Sequence, residues 1–305
     1  MMNASMNYYI CKISNFIMKI QISILFSVFL LITSCKVKSQ SKEASNIEIK
    51  NQTETKGTVS ILEKEFVIKN LNNVSHKVWL YLPPNYTTSK EKYPVIYMQD
   101  AQNLFDAKTS FAGEWEIDET LNKLYNKTKK GFIVVGVENG GEKRIEEYTP
   151  WSNTKYGGGK GDVYSDFLVN TLKPYIDNNY KTKSSAENTA IIGSSLGGLI
   201  SFYTGLKHPK VFGKIGALST SFWFSSKVNS FADKHANLKN TKLYLLVGDK
   251  EGASMVPDTE NMAERLVDNG FEAKNIKTKV AANGTHTESF WKSEFLETIT
   301  YLFNL

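Results

Sequence analysis

Thr189-Ala190-Ile191-Ile192-Gly193-Ser194-Ser195-Leu196-Gly197-Gly198-Leu199-Ile200 is the stretch on which the fold assignment turns. A short apolar, strand-like run (189–192) enters G-x-S-x-G at 193–197, and residues from Ser195 to Lys207 read as a helix that His208-Pro209 ends. A serine hydroxyl is a weak nucleophile. A chain that uses one presents it on a tight strand-to-helix turn, where small neighbours let the turn form and the helix N-terminus favours developing negative charge. The pentapeptide alone is modest evidence; its strand-turn-helix context gives it weight.

On either side, short apolar strands alternate with helices. Strand-like segments cover Ser60–Lys69, His76–Leu82, Pro94–Met98, Phe132–Val137, Lys214–Leu218, Lys242–Val247 and Ile276–Val280. Helical periodicity covers Ile117–Lys129, with Ile117, Leu121, Leu124 and Tyr125 on one face and Gly131 as its stop. Further helices are expected over Asp162–Asn179, kinked at Pro174, over Ser226–Ala236 and Asp258–Asn269, and from Ser289 onward. This order predicts an α/β class protein with a mostly parallel central sheet and helices on both faces, whose reactive groups gather at the carboxyl ends of the strands.

If Ser195 is a nucleophile it needs a base, and the chain has four histidines. His76 at a strand start, His208 at a helix end and His235 in a polar helix read as surface or capping residues. His286 alone sits in a loop after the last strand, in Asn283-Gly284-Thr285-His286, late enough to leave room for an acid between nucleophile and base. That acid would hold the imidazole in the tautomer that accepts the serine proton. Gly248-Asp249-Lys250-Glu251-Gly252, at the exit of a strand, offers two carboxylates, of which Glu251 is the first choice and Asp249 the alternative; Asp258 reads as a helix N-cap. Oxyanion donors are expected from the backbone N–H of Leu196 and from that of Ala101 or Gln102, in the loop after Pro94–Met98.

Several further motifs carry a resemblance. Tyr97-Met98-Gln99-Asp100-Ala101-Gln102-Asn103-Leu104-Phe105-Asp106, Gly113-Glu114-Trp115, Val135 through Gly141, Glu147-Tyr148-Thr149-Pro150-Trp151 and Ile192 through Gly198 together resemble the esterases of the α/β-hydrolase superfamily that include enterochelin esterases, S-formylglutathione hydrolases, and feruloyl and acetylxylan esterases. The likeness spans about Ser60 to Leu305. It implies an α/β-hydrolase fold, a serine carboxylic-ester hydrolase, Ser195 and His286 in catalysis, and an Asp or Glu in the turn that holds Glu251. Relatives often read His-Asp-Gly where this chain has Gln99-Asp100-Ala101.

The substrate is less defined. Trp115, Trp151 and Trp223, with Tyr156 and Phe224, fall in loops expected near Ser195, where an aromatic wall suits an aryl acyl group or a sugar ring; core packing is the alternative. Arg144, in Glu142-Lys143-Arg144, reads as part of a solvated charge run rather than an anion site. An acylated carbohydrate or related small ester is the expected substrate. A siderophore-ester hydrolase or acyltransferase using the same residues, and a glycan-binding lipoprotein retaining only the fold, are alternatives.

Gly157-Gly158-Gly159-Lys160-Gly161 completes neither a P-loop nor a dinucleotide fingerprint, and the chain has no H-E-x-x-H and no Cys/His cluster, so no cofactor or metal is expected. The first 35 residues hold two lysines and no acid; without them the net charge of +6 falls to +4, too mild and dispersed for a nucleic-acid partner. Ile20–Ile32 is an apolar run of the length of a secretory h-region, with Met18 the better start, and Ile32-Thr33-Ser34-Cys35 resembles a lipobox. Residues 1–35 are therefore expected to be a lipoprotein signal peptide, Cys35 the lipid-attachment site, 36–57 a flexible tether, and 58–305 the catalytic domain. Such a protein is exported and anchored to a bacterial membrane, and Lys36 after Cys35 favours the outer one.

Overall fold

The computed structural model describes residues 55–305 apart from Asn72; the proposed signal peptide, Cys35 and most of the tether lie outside them. The chain forms β1 (Thr58–Ile61), β2 (Phe66–Val67), β3 (Ser75–His76), β4 (Val78–Leu82), β5 (Val95–Gln99), α1 (Ile117–Thr128), β6 (Ile133–Val137), α2 (Arg144–Tyr148), α3 (Gly161–Phe167) and α4 (Lys173–Asn179). There follow β7 (Thr189–Ser194), α5 (Leu196–Lys207), β8 (Lys214–Leu218), α6 (Lys227–His235), β9 (Lys242–Gly248), α7 (Met255–Asp268), β10 (Ile276–Ala281) and α8 (Glu288–Phe303). The main sheet has eight strands in the order β1-β4-β6-β5-β7-β8-β9-β10. Pairing is parallel from β6 through β10, and only β4 and β1 run antiparallel to their neighbours.

Strand residues alternate between two cores. Val95, Tyr97, Ile191, Ile215 and Leu245 face one side with α5 and α7, whereas Ile96, Met98, Ile192, Leu218 and Leu246 face the other with α1 and α8. Both faces are thus covered, which is why the central strands are buried at every position rather than at alternate ones. α5 is buried along residues 196–206, as its apolar composition on all sides requires. This is the fold of an α/β-hydrolase. Among the described residues no helix is long and apolar enough to cross a membrane.

Local departures have identifiable causes. The run expected over Ser60–Lys69 splits at exposed Glu63-Lys64-Glu65, and its second half pairs with β3 in a separate two-stranded sheet. Pro174 does not merely kink one helix: residues 168–172 open into a π-helical turn between α3 and α4, which lets the chain absorb a residue without an N–H. α1 ends on Lys129 in the left-handed region (φ 60°), ahead of Gly131. Residues 55–57 are bonded to the domain, Gly57 N–H donating to Asn122 Oδ1 at 2.7 Å.

Candidate active site

Ser195 occupies the sharp turn between β7 and α5 with φ 58° and ψ −123°, a conformation that costs a non-glycine residue on the order of 1–3 kcal/mol. The turn is held by Ser195 N–H donating to Leu218 O on β8 at 2.9 Å, and is too tight for side chains behind it. A Cβ on Gly193 would lie 2.4 Å from the Gly197 carbonyl oxygen.

The second component comes from the neighbouring strand exits. The Glu251 side chain is fully buried: its Oε2 accepts from His286 Nδ1 at 2.8 Å, and its Oε1 from Gly248 N–H at 2.7 Å and Ser219 Oγ at 2.6 Å. A carboxylate only accepts, so the shared proton sits on His286 Nδ1 and leaves Nε2 as the acceptor. Ser219 itself accepts from Trp291 Nε1 at 2.7 Å, and the Trp291 ring stands edge-on to the His286 ring at 5.0 Å. Asp249, the alternative acid, is exposed and turned elsewhere, its Oδ1 accepting from Asn283 N–H at 2.8 Å. It therefore ties the Glu251 turn to the His286 loop. The two are also joined by Lys250 N–H donating to Gly284 O at 2.9 Å, and a Cβ on Gly248 would lie 2.3 Å from the Gly284 carbonyl.

Ser195 and His286 line one cavity of about 230 Å³, with Trp115, Trp291, Phe111 and Ala112 supplying its apolar wall. The Ser195 hydroxyl is within hydrogen-bonding distance of Ser221 Oγ at 3.3 Å. Leu196, first residue of α5, has an N–H with no intrahelical acceptor. In the 3-10 turn Ala101–Asn103 bonding begins with Asn103 N–H to Asp100 O, so the N–H groups of Ala101 and Gln102 stand outside it. Trp115 lines the cavity. Trp151 does not, packing edge-on against Tyr203 and Phe231, and Trp223 lies on a separate groove with half of its surface exposed.

Arg144 lines the cavity too, and is not part of a solvated charge run. Its Nε and Nη2 form a fork on the two oxygens of Asp100 at 2.7 and 2.9 Å. Burial lowers the guanidinium pKa, but Asp100 more than reverses this and the net displacement is upward. Glu288, also on the cavity, is raised above the ordinary carboxylate range, first by burial and then by Asp100, with His286 and Arg144 opposing. His76, expected at the surface, is buried, with Nε2 2.9 Å from Glu147 Oε1. Glu147 accepts in turn from Gly140 N–H and so fastens the loop that carries Arg144. Asp258 lies in the first turn of α7 rather than at its cap, Ser254. Among the described residues, Glu114, Asp118 and Glu119 place carboxylate oxygens within 4.8 Å of one another; Asp118 is pushed up to about 7 by burial and by Glu119. Two of these acids occupy the first turn of α1, where the helix dipole favours them.

Ser219, Ser221 and Trp291 were not anticipated as site residues. The signal available was Ser219-Thr220-Ser221 directly after an apolar strand, at the same carboxyl edge as Ser195.

The fold and the arrangement of the site define a member of the α/β-hydrolase class. Residues 70–302 match the family described as "Putative esterase", and the chain belongs to that family. It is 27% identical over 237 residues to the uncharacterized protein YbbA of Bacillus subtilis, covering 73% of this chain and 91% of that one. It is likewise 27% identical over 213 residues to an endo-1,4-beta-xylanase/feruloyl esterase of Xylanibacter ruminicola, covering 67% of this chain but 26% of that longer protein. Among solved structures, the BES protein from Bacillus cereus superposes with a TM-score of 0.66 at 20% identity, covering 88% of this chain and 99% of the other.

Proposed function

We propose that the protein is a serine esterase working through an acyl-enzyme on an acylated carbohydrate or a related small ester, outside the cytoplasm and tethered through a lipid on Cys35. The observation that carries the chemistry is the buried Glu251 carboxylate bonded to His286 Nδ1, beside a cavity that His286 shares with Ser195 on its strained turn. Ser195 Oγ turns from Ser221 to the ester carbonyl and forms the new C–O bond as its proton passes to His286 Nε2. Glu251 stabilises the resulting imidazolium. The oxyanion receives the N–H groups of Leu196 and of Ala101 or Gln102. The leaving alkoxide takes the proton from Nε2, and water then repeats the sequence to release the acid.

A cavity of about 230 Å³ lies below the usual range for drug-sized ligands and suits a short or single-ring acyl group. The endo-1,4-beta-xylanase/feruloyl esterase among the relatives supports a feruloyl-type ester as one substrate to try. The test is a panel of feruloyl, acetyl-xylan, catecholate and short aryl esters. Wild type is expected to hydrolyse at least one, and Ser195→Ala or His286→Ala to lower kcat by roughly 10⁶-fold. Unchanged turnover of 4-nitrophenyl acetate by pure Ser195→Ala protein would refute the mechanism. Radiolabelled palmitate is expected on the full chain and absent from Cys35→Ala; label on that variant would remove the anchor.

A further inference from the structure

An ester has an acyl side and an alcohol side, and the 230 Å³ cavity accounts for only one of them. Ser195 borders that cavity, and its hydroxyl partner Ser221 directly precedes the 3-10 turn Phe222–Phe224, whose Phe222 and Trp223 line a second groove of about 600 Å³. Trp223 lines this groove and stands two residues beyond Ser221. Its other wall is one face of α7, with Asp258, Asn261, Arg265 and Asp268 at helical spacing. Residues 258 to 269 at ~1.5 Å per residue give a length on the order of 16 Å. α7 begins four residues after Glu251, so both walls start from loops that carry the candidate catalytic machinery.

Trp223 is 49% exposed and Tyr156 44%, an unusual display for large aromatics that lie together, ring centroids 5.9 Å apart and nearly perpendicular. They are held from behind. Asn153 Nδ2 donates to Phe224 O at 2.7 Å, and the same asparagine accepts the N–H groups of Lys155 and Tyr156, pinning the 153–157 loop to the tryptophan turn. A rigid, exposed indole loses little entropy on binding, and its face matches the C–H face of a sugar ring. Asn229 and Asn261 offer amides that both donate to and accept from hydroxyls. Arg265 Nη1 already donates to both carboxylate oxygens of Asp233, while Asp258, Glu264 and Asp268 give the groove an excess of carboxylates.

We propose that this groove is the alcohol-side subsite and takes a neutral, hydroxyl-rich glycan chain that stacks on Trp223 and runs along α7. The carboxylates select against polyuronates by like-charge repulsion. The assignment rests on the esterase function proposed above, and two measurements separate the fates of the two. The ester panel tests the esterase; calorimetric titration of Ser195→Ala protein with a neutral xylo-oligosaccharide tests the groove. Binding is expected to weaken about tenfold in Ser195→Ala/Trp223→Ala, to survive in Ser195→Ala/Trp223→Phe, and to be absent for polygalacturonate. In the otherwise wild-type enzyme, Trp223→Ala should lower kcat/KM on acetylated xylo-oligosaccharide about tenfold more than on 4-nitrophenyl acetate. Equal binding with and without Trp223, no heat at millimolar glycan, or preference for the polyuronate would overturn the subsite while leaving an active esterase standing. Failure of the whole ester panel would overturn the esterase, and the subsite with it.

Discussion

Trp291 has two contacts that bear on the candidate base: its ring edge meets His286 and its indole N–H holds Ser219, which in turn holds Glu251. Trp291→Phe keeps most of the ring and removes the N–H, so kcat should fall about tenfold with KM nearly constant, read on an aryl ester. Ser219→Ala strips one donor from Glu251 and leaves the Trp291 N–H unsatisfied. A stability loss of about 1–3 kcal/mol by denaturant titration is the expected result. Glu251→Gln should lower kcat by about 10⁴-fold through the wrong imidazole tautomer, whereas Asp249→Asn, which keeps an acceptor for Asn283, should cost under about tenfold. Reversal of that order would make Asp249 the acid. Sequence could nominate Ser195 and His286, because a turn motif and a lone late histidine are local signals. It put Glu251 ahead of Asp249 but left both open, since both sit in one turn and only side-chain direction distinguishes them. Arg144 was misjudged for a related reason: its partner Asp100 is 44 residues away.

Between the elements, the tightest restraint is the approach of the β9 exit to the loop before α8. A Cβ on Gly284 would fall 2.7 Å from Gly248 Cα and 2.7 Å from the Phe290 ring. Gly284→Ala is therefore expected to cost about 1–3 kcal/mol by thermal or chemical unfolding, and to lower kcat by shifting His286. Normal stability with normal turnover would show the loop free to move. Most helices were legible because their apolar faces repeat at 3.6 residues, as Ile117, Leu121 and Leu124 do. The π-helical turn before Pro174 was not, because only the way a chain accommodates a missing N–H decides between a kink and a widened turn. α2 was hidden inside a charged run in which one acid turns inward: Glu147 is fully buried against His76.

For the molecule as a whole, a buried cation sits at the end of the sheet opposite the candidate site. Lys214 begins β8, far along the strand from Ser219, and is buried with its Nζ donating to Leu302 O at 2.6 Å. Burial, and then Lys242, pulls its pKa down from 10.5 to about 8. A depressed lysine carries its full penalty below about pH 8, and the penalty fades as pH rises toward 10.5. The gain in Tm of Lys214→Met over wild type should accordingly be largest near pH 7 and shrink toward pH 10; a gap constant with pH would mean Lys214 does not titrate in that window. The parallel sheet with two helical faces was readable from alternation alone. Strand order was not, because it depends on contacts between elements far apart in sequence. The meeting of Gly248 and Gly284 also has a topological meaning. The segment between these glycines, which carries Glu251, α7 and β10, leaves and returns to nearly the same point, so it is closed at its neck. The closure sets the Glu251 turn beside the His286 loop through backbone contact, whatever the length of chain between them.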